Sequence, residues 1–246
     1  MLEQQYHYET KFVAFVDILG FRNKTNAGDL MKQPVHETLD MIHKFMDLEK
    51  YLNKNNNEYY YRFSDSMLFS FDQKYFDKCI GLIAYLQFAC ATKGFFLRGG
   101  ITYDKIFDRS SFFYGRGLNR AYELESAVAC YPRVILDPSL SIKEEILTVH
   151  NEDYDEDHNI SLGELFKQDF DGCYYIDFLH KHEVEVLPDV NFKGISYLKG
   201  NYKEIENGIS KELNDSINAK NSNLIIKYQW LSEYYKQFKD RSKHIQ

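Results

Sequence analysis

A nine-residue run of almost unbroken apolar and β-branched residues, Lys11 to Leu19, constrains this chain more than any other segment. Such a run is typical of a central strand that is buried on both faces of a sheet. One carboxylate, Asp17, interrupts the run near its carboxyl end. A carboxylate beside a buried strand is costly unless another group compensates its charge. We therefore look for a sheet built around this strand and for a partner of Asp17.

The spacing of apolar residues predicts the other elements. Strands are predicted as a hairpin over Glu58–Phe71 that turns at Ser64-Asp65-Ser66, and over Phe95–Tyr103, Arg133–Leu136 and Cys173–Phe178. Helices are predicted over Pro34–Leu48, Gln73–Lys93, Gly115–Ala129 and residues 203–239. The resulting order, β-α-β-β-α-β-α-β, begins with the split βαβ plan. It predicts an α+β fold with a ferredoxin-like core and an antiparallel or mixed sheet.

Two units of unequal size follow from this order. Residues 1–200 are predicted to form one domain, and residues 201–246 a helical extension packed on it. A separate second domain is disfavoured, because about 40 residues rarely hold a hydrophobic core alone.

Composition excludes several classes of protein. Basic residues number 30 and acidic residues 37, and this acidic excess argues against a general nucleic-acid-coating surface. No run approaches the ~18 apolar residues of a membrane span, and the first residues have neither a basic start nor an apolar stretch. The four cysteines are scattered, without a Cys-x-x-Cys pair, which disfavours a disulfide scaffold. We expect a soluble, cytoplasmic protein with neither a membrane nor a nucleic-acid partner.

Asp17 and Asp65 are the candidate functional carboxylates. In a split βαβ sheet the first strand lies beside the hairpin, so both side chains can point into one crevice at the end of the sheet. Two carboxylates at one point repel each other, and a divalent cation is the usual compensation. Spacing alone leaves a structural alternative open, in which Asp17 caps the next helix and Asp65 is an ordinary turn residue.

Four segments, in order, resemble the class III nucleotidyl cyclases. Phe15–Phe21 (FVDILGF) resembles the first-strand signature F-x-D-I-x-G-F of that family, and Asp65 falls where the family has its second metal aspartate. Arg98–Ile101 (RGGI) resembles the strand pattern R-x-G-I. Gly115–Glu125 (GRGLNRAYELE) resembles G-x-x-V-N-x-A-x-R-L-E, with Asn119 on the family's asparagine.

The resemblance implies a reaction and a set of site residues. Asp17, Ile18 and Asp65 would hold two Mg²⁺ or Mn²⁺ ions, and the phosphates of a nucleoside triphosphate would lie over the Gly20-Phe21 turn. Attack of the ribose 3′-hydroxyl on the α-phosphorus would give a 3′,5′-cyclic nucleotide and pyrophosphate. The family forms its sites across a head-to-tail homodimer, so Asn119 would reach the nucleotide bound to the other subunit.

The sequence departs from the family at the arginine that stabilises the transition state. That position, four residues after Asn119, is Glu123 here, and a carboxylate cannot stabilise developing negative charge. Arg98, Arg116 and Arg120 are the candidate replacements, and a structural ion pair is the alternative role of Arg98. Glu123 also favours a second hypothesis, a degenerate cyclase fold that binds nucleotide and regulates a partner.

The base-reading positions differ from those of purine cyclases. Tyr61 and Phe112 stand where adenylate cyclases of this class have a Lys/Asp pair and guanylate cyclases a Glu/Cys pair. A phenolic hydroxyl can bond a pyrimidine edge and an aromatic ring can stack on the base. This pattern resembles the Pycsar-type bacterial cyclases, which make cyclic UMP or cyclic CMP during phage infection. Conversion of UTP or CTP is therefore expected, with a separate effector that senses the product, and a purine cyclase is the alternative.

Several other polar residues have weaker support. Lys193 or Lys199 is a candidate for the terminal phosphates of the nucleotide. His180 and His182 alternate on one stretch, but no third metal ligand is evident. The acidic segment Asn151–Asp157 lacks the ordered spacing of a calcium loop and is expected to be a solvated loop.

Overall fold

The computed structural model describes residues 8–26, 35–43, 59–109, 112–140, 166–179 and 201–243. Three predictions lie outside these residues. They concern the acidic segment Asn151–Asp157, the histidines His180 and His182, and the lysines Lys193 and Lys199.

Eight strands and six α-helices make up the described fold. The strands are β1 (Glu9–Ile18), β2 (Tyr59–Phe63), β3 (Ser66–Phe71), β4 (Leu97–Arg109), β5 (Phe112–Gly115), β6 (Val134–Leu136), β7 (Phe166–Gln168) and β8 (Tyr174–Ile176). The helices are α1 (Phe21–Asn26), α2 (35–43), α3 (Phe76–Thr92), α4 (Arg116–Glu123), α5 (Tyr202–Asn218) and α6 (Ser222–Lys243). A π-helical turn, Leu124–Val128, continues α4.

The strands form one mixed sheet in the order β2-β3-β1-β4-β6-β8-β7, and β5 pairs with β4. Strand β1 lies between β3 and β4 and is antiparallel to both. The pair β4–β6 is parallel. The first four strands therefore have the arrangement of the split βαβ plan. The predicted α+β class, with a ferredoxin-like core, a mixed sheet and C-terminal helices, is confirmed.

Both faces of β1 are buried, which explains its continuous apolar run. Phe12, Ala14, Val16 and Ile18 point into the main core, where α3, α5 and α6 also contribute residues. Val13 and Phe15 lie on the other face, in a second cluster with Ala121 of α4. Asp17 therefore belongs to the face that α4 covers, because side chains alternate along a strand.

The hairpin of β4 and β5 differs from the prediction. The predicted strand ends at Tyr103 and is followed by a loop, whereas β4 continues to Arg109 and turns back into β5. Ile106 is buried between polar neighbours, Asp104, Lys105 and Asp108. Those neighbours gave this stretch the composition of a loop and concealed a strand that is buried only in part.

The C-terminal helices pack on the core, with α5 next to α3 and α6 beside α5. The predicted single helical stretch is divided in two, because α5 ends at Asn218 and Lys220 adopts a positive φ of 53° before α6 begins. Tyr228 and Leu231 of α6 belong to the main core. The predicted domain boundary at residue 200 stays a prediction.

None of the helices within the described ranges is both long enough and apolar enough to cross a membrane.

Candidate active site

Asp17 lies at the carboxyl end of β1, opposite Ser66 of β3 on one side and Arg98 of β4 on the other. Directly opposite residues share a face of an antiparallel sheet, so these three side chains form one row across it. Ser66 Oγ donates a hydrogen bond of 3.1 Å to Asp17 Oδ1. This bond to the neighbouring strand differs from the structural alternative, in which Asp17 would cap the next helix.

Asp65 occupies the tip of the β2–β3 hairpin, next to Asp17. The turn consists of Ser64 and Asp65, and Ser64 has a φ of 58°. Two-residue hairpin turns require a positive φ, and serine adopts one only at some conformational cost. The turn brings the charge of Asp65 close enough to raise the pKa of Asp17. The structure thus brings the two predicted carboxylates together at one end of the sheet.

Among the residues that the structure describes, the charges around Asp17 do not balance the pair. Burial, and after it the negative charges of Asp65 and Glu125, raises the pKa of Asp17 to about 7. The hydrogen bond from Ser66 and the charge of Arg98 lower that pKa by less. A carboxylate with a pKa near neutrality, beside a second carboxylate, is a common feature of functional sites.

Glu125 is a third carboxylate at this end of the sheet, and the sequence analysis did not single it out. It is 4% exposed and forms an ion pair with Arg98. Burial raises its pKa although the charge and hydrogen bond of Arg98 lower it. The ion pair with Glu125 corresponds to the structural role that the sequence analysis considered for Arg98. The π-helical turn that bears Glu125 was not predicted, and such turns are frequent at functional sites.

Gly100 allows that turn to approach the sheet. A Cβ atom at Gly100 would lie 2.2 Å from Leu124 Cβ and 3.0 Å from the carbonyl oxygen of Ala121. A side chain there would push α4 and the π-helical turn away from β4. Gly100, the second glycine of the predicted RGGI strand, therefore allows Glu125 to lie beside Arg98.

The residues present fit a divalent cation that is bound in part by substrate. Among the residues that the structure describes, no group of three or more His, Cys, Asp and Glu side chains is arranged to hold a metal ion. Asp17 and Asp65 supply two carboxylates, and Ser66 adds a hydroxyl beside them. Mg²⁺ is typically held by one or two carboxylates, with phosphate oxygens and water completing its shell.

The candidate arginines on α4 differ in their availability. Arg120 is bound to Asp137 by two hydrogen bonds of 2.8 and 2.9 Å, and a third, of 3.0 Å, joins it to Glu123. Arg116 is exposed and pairs with Asp104 at 2.8 Å. An exposed ion pair of this kind is weak and is readily exchanged for another partner.

The outer side of α4 presents Asn119 and Arg116 to solvent. Both side chains are exposed, as is that of Glu123. Asn119 therefore does not lie in the packed interface between α4 and the sheet, where Ala121 and Leu124 are buried. The structure places it where a second molecule could contact it.

The β1–α1 turn at Gly20-Phe21 is supported by the C-terminal helices. Gly20 has a φ of 72°, a conformation that glycine adopts without strain. The hydroxyl of Tyr228 in α6 lies 3.8 Å from the position of a Cβ at Gly20, and it donates to Glu212 in α5. Glu212 also pairs with Lys24 of α1. Ile18 is the last residue of β1, so its main chain leads directly into this turn.

Tyr61 and Phe112 are not neighbours in the sheet of one subunit, and the predicted base pocket that uses both stays a prediction. In the strand register, Tyr61 of β2 pairs with Leu68 of β3, Leu68 with Phe15 of β1, and Phe15 with Gly100 of β4. Tyr61 therefore lies level with Gly100 across the sheet. Phe112 pairs with Arg109, nine residues further along β4. At about 3.3 Å per residue, the nine residues from Gly100 to Arg109 separate Tyr61 from Phe112 by roughly 30 Å within one subunit. Phe112 lies near the tip of the β4–β5 hairpin, which was predicted as a loop, and its side chain is 67% exposed.

Comparisons with known proteins found similarity only among solved structures. No family model and no curated protein matches the chain. The chain is similar to a bacterial light-regulated adenylyl cyclase with 16% identity and a TM-score of 0.43, over 78% of this chain and 97% of that one. A second structure of a bacterial light-regulated adenylyl cyclase gives 14% identity and a TM-score of 0.43, over 80% and 60% of the two chains. At this level of similarity, any conclusion about function rests on the site itself.

Proposed function

We propose that this chain is a metal-dependent nucleotidyl cyclase, which converts a nucleoside triphosphate into a 3′,5′-cyclic nucleotide and pyrophosphate. The observation that carries the proposal is the pair Asp17 and Asp65, which lies at one end of the sheet with the pKa of Asp17 raised to about 7. The four segments that resemble class III cyclases support it, because they contain both aspartates and the Arg98 strand beside them.

Each residue has a separate task in this proposal. Asp17 and Asp65, with the main chain of Ile18, would hold two Mg²⁺ or Mn²⁺ ions. These ions would supply activation of the ribose 3′-hydroxyl and neutralisation of the leaving pyrophosphate. The turn at Gly20-Phe21 would face the phosphates. Arg98 and Glu125, paired beside Asp17, would keep that carboxylate in place.

The active unit in this proposal is a homodimer. Asn119 and Arg116 are exposed on α4, so they could act on the nucleotide of a partner subunit. Of the three candidate arginines, Arg116 is held by the most exposed ion pair and Arg120 by a bidentate one. Large aromatic side chains are exposed on α4, on β5 and just before β1: Tyr122, Phe112, Tyr114 and Tyr8. Exposed aromatic residues are enriched where protein chains associate.

The substrate in this proposal is a pyrimidine nucleotide, UTP or CTP, and the product is a signal to a separate effector in bacterial antiviral defence. Tyr61, at the position where adenylate cyclases have the base-reading lysine, is the support for this choice of base. A phenolic hydroxyl can donate to or accept from a pyrimidine edge.

A second candidate function is a degenerate cyclase fold that binds a nucleotide and regulates a partner. Glu123 at the position of the transition-state arginine favours it. The ion pairs of Arg98 with Glu125 and of Arg120 with Asp137 favour it too, because they occupy two of the three candidate replacements.

Product analysis tests the function. Purified protein is incubated with ATP, GTP, CTP or UTP, in Mn²⁺ and in Mg²⁺ separately, and the products are identified by mass. We expect cyclic UMP or cyclic CMP with pyrophosphate, and none from Asp17→Asn. No cyclic product from any substrate, with nucleotide binding retained, would instead support the degenerate fold. A cyclic purine as the main product would overturn the choice of base.

The base choice has its own test in Tyr61→Lys. Introducing a lysine at this position is expected to reduce the preference for pyrimidine over purine triphosphates. The measurement is the ratio of the four rates under one metal. An unchanged ratio would remove Tyr61 from the base pocket and leave the cyclase proposal intact.

A further inference from the structure

The β1–α1 turn depends on contacts from outside its own segment. Helix α1 has only six residues, and Lys24 N–H donates a hydrogen bond of 3.2 Å to the carbonyl oxygen of Gly20. An isolated helix of this length is marginal in water, so its stability comes from tertiary packing. Glycine also restricts the backbone less than any other residue. The conformation of the turn is therefore set by the elements that pack against it.

Helix α5 packs closely beside this turn. A Cβ atom at Gly208 would lie 3.1 Å from the Cα atom of Gly94, which shortly precedes β4. Glu212 follows Gly208 by four residues, so the two share one face of α5. Its carboxylate forms an ion pair with Lys24 of α1, and the two side chains are only 17% and 21% exposed. The glycine contact thus brings a carboxylate of α5 to α1.

Helix α6 adds a second bond to the same carboxylate. Tyr228 is 1% exposed, and its hydroxyl donates a hydrogen bond of 3.2 Å to Glu212 Oε2, while Lys24 bonds to Oε1. Burial, and after it the charge of Glu212, raises the pKa of Tyr228, so the hydroxyl stays protonated at neutral pH. The same hydroxyl lies 3.8 Å from the position of a Cβ at Gly20. Glu212 therefore joins α1 and α6 directly beside the turn.

A second ion pair between the C-terminal helices offers a comparison. Lys239 of α6 pairs with Glu206 of α5 at 3.0 Å, and these side chains are 46% and 45% exposed. An exposed pair of this kind contributes little to stability. Glu212 differs because its carboxylate is largely buried and its partner belongs to α1. Neutralising Glu212 would leave the charge of Lys24 largely buried and without its partner.

We infer that Glu212 is a positioning residue, which acts through Lys24 and Tyr228 to keep the Gly20-Phe21 turn in the conformation that receives the phosphates of the substrate. The inference rests on the proposed function, in which this turn faces the phosphates. It gives the two C-terminal helices a part in substrate binding that they exert through the turn. A binding group that is displaced by even a fraction of an ångström loses part of its interaction with the substrate.

Steady-state kinetics test the inference. Wild type, Glu212→Gln, Tyr228→Phe and the matched control Glu206→Gln are compared with the preferred triphosphate in excess Mn²⁺. Loss of binding that is common to ground state and transition state raises KM and leaves kcat unchanged. We expect the KM of Glu212→Gln to rise about tenfold, with kcat within about twofold of wild type. Tyr228→Phe is expected to show a smaller rise in KM, and Glu206→Gln none.

The split between the two constants separates positioning from folding. A merely structural role lowers the fraction of folded enzyme, which reduces the apparent kcat and leaves KM unchanged. A fall in kcat at constant KM in Glu212→Gln would therefore overturn the inference. An equal rise of KM in Glu206→Gln would overturn it too, because that pair lies elsewhere on the same two helices.

Hydrogen–deuterium exchange gives a readout that needs no activity. In Glu212→Gln, the amides of residues 19–24 are expected to exchange about tenfold faster than in wild type, and those of α3 at an unchanged rate. Faster exchange throughout the chain would indicate a general loss of stability and reject a specific role. Unchanged exchange at residues 19–24 would reject the hold of Glu212 on the turn.

The outcomes distinguish this inference from the proposed function. Cyclic nucleotide production by wild type with an unchanged KM in Glu212→Gln would reject the role of Glu212 alone. Absence of cyclic product from all four triphosphates would reject cyclase activity, and calorimetric binding of inorganic pyrophosphate with Mn²⁺ then decides on Glu212. Weaker binding by Glu212→Gln than by Glu206→Gln would retain the inference, and equal binding would overturn it.

Discussion

Two clusters of charged residues in the described structure are balanced in different ways. In the first, Arg133 is fully buried and forms ion pairs with Asp169 and Asp171. Its guanidinium also lies 5.2 Å from the ring centre of Tyr131 and 5.7 Å from that of Trp230. We call this group the arginine cage. It joins β6, the β7–β8 turn and α6.

The second cluster consists of Asp17, Asp65, Glu125 and Arg98, and we call it the carboxylate cluster. Arg98 is its one close internal counter-charge among the residues described, and it is bound to Glu125. The pKa of Asp17 is raised to about 7, whereas Arg133 and the backbone of Cys173 outweigh burial and lower the pKa of Asp171 in the arginine cage.

The contrast indicates which cluster serves the fold. Arg133, paired with two carboxylates, holds its neighbours in place and has no need of a ligand. A cluster that keeps adjacent carboxylates without a matching cation lowers the stability of the empty protein. Such an arrangement is expected where a divalent cation and substrate supply the missing charge, and stability is commonly reduced at sites of this kind.

The largest expected effect is on turnover. Asp17→Asn and Asp65→Asn each remove a metal-binding carboxylate, so we expect the rate of cyclic nucleotide formation to fall about a thousandfold or more. Melting curves of both variants serve as the control for folding. Retention of full activity by either variant, in Mg²⁺ or in Mn²⁺, would contradict the two-metal assignment.

The second largest expected effect is a loss of stability when the arginine cage is broken. Arg133→Met leaves Asp169 and Asp171 without their partner, and we expect the free energy of unfolding to fall by about 3–5 kcal/mol. Arg116→Met is the matched control, because its exposed pair with Asp104 is expected to contribute less than about 1 kcal/mol. Denaturant unfolding measures both. Equal losses in the two variants would show that the arginine cage does not stabilise the fold.

The third expected effect is a gain in stability on mutation of Asp17, and it depends on pH. The pKa of Asp17 is about 7 in the folded protein, whereas an aspartate free of such surroundings has a pKa of 3.8. Ionisation of this group therefore opposes folding as pH rises between these two values. In EDTA, Asp17→Asn is expected to be more stable than wild type by about 2–4 kcal/mol at pH 8. The difference should vanish near pH 4. A variant that is less stable than wild type at pH 8 would contradict the raised pKa.

Much of the fold was predictable because the hydrophobic pattern specified it. The unbroken apolar run of β1 indicates a strand buried on both faces, and the alternation around Ser64 and Asp65 indicates a hairpin. The split βαβ order then places these two segments side by side. The β4–β5 hairpin was not predictable in the same way, because Asp104 and Asp108 gave a strand the composition of a loop.

The site was predictable only where its residues belong to the first strands. Asp17 and Asp65 stand at strand ends that the topology brings together. Glu125 reaches the site through packing instead. The π-helical turn packs closely against Gly100. Tyr228 and Trp230 of α6 form hydrogen bonds to Glu212 and Asp169. No spacing in the sequence encodes those contacts.

Thermal unfolding at pH 8, in EDTA and across a series of Mn²⁺ concentrations, tests most directly whether the carboxylate cluster is kept for a cation. A ligand that binds only the folded state raises its stability with concentration. We expect the melting temperature of wild type to rise with Mn²⁺, and that of Asp17→Asn to start higher in EDTA and stay constant. An equal rise in both proteins, or no rise in wild type, would contradict the account.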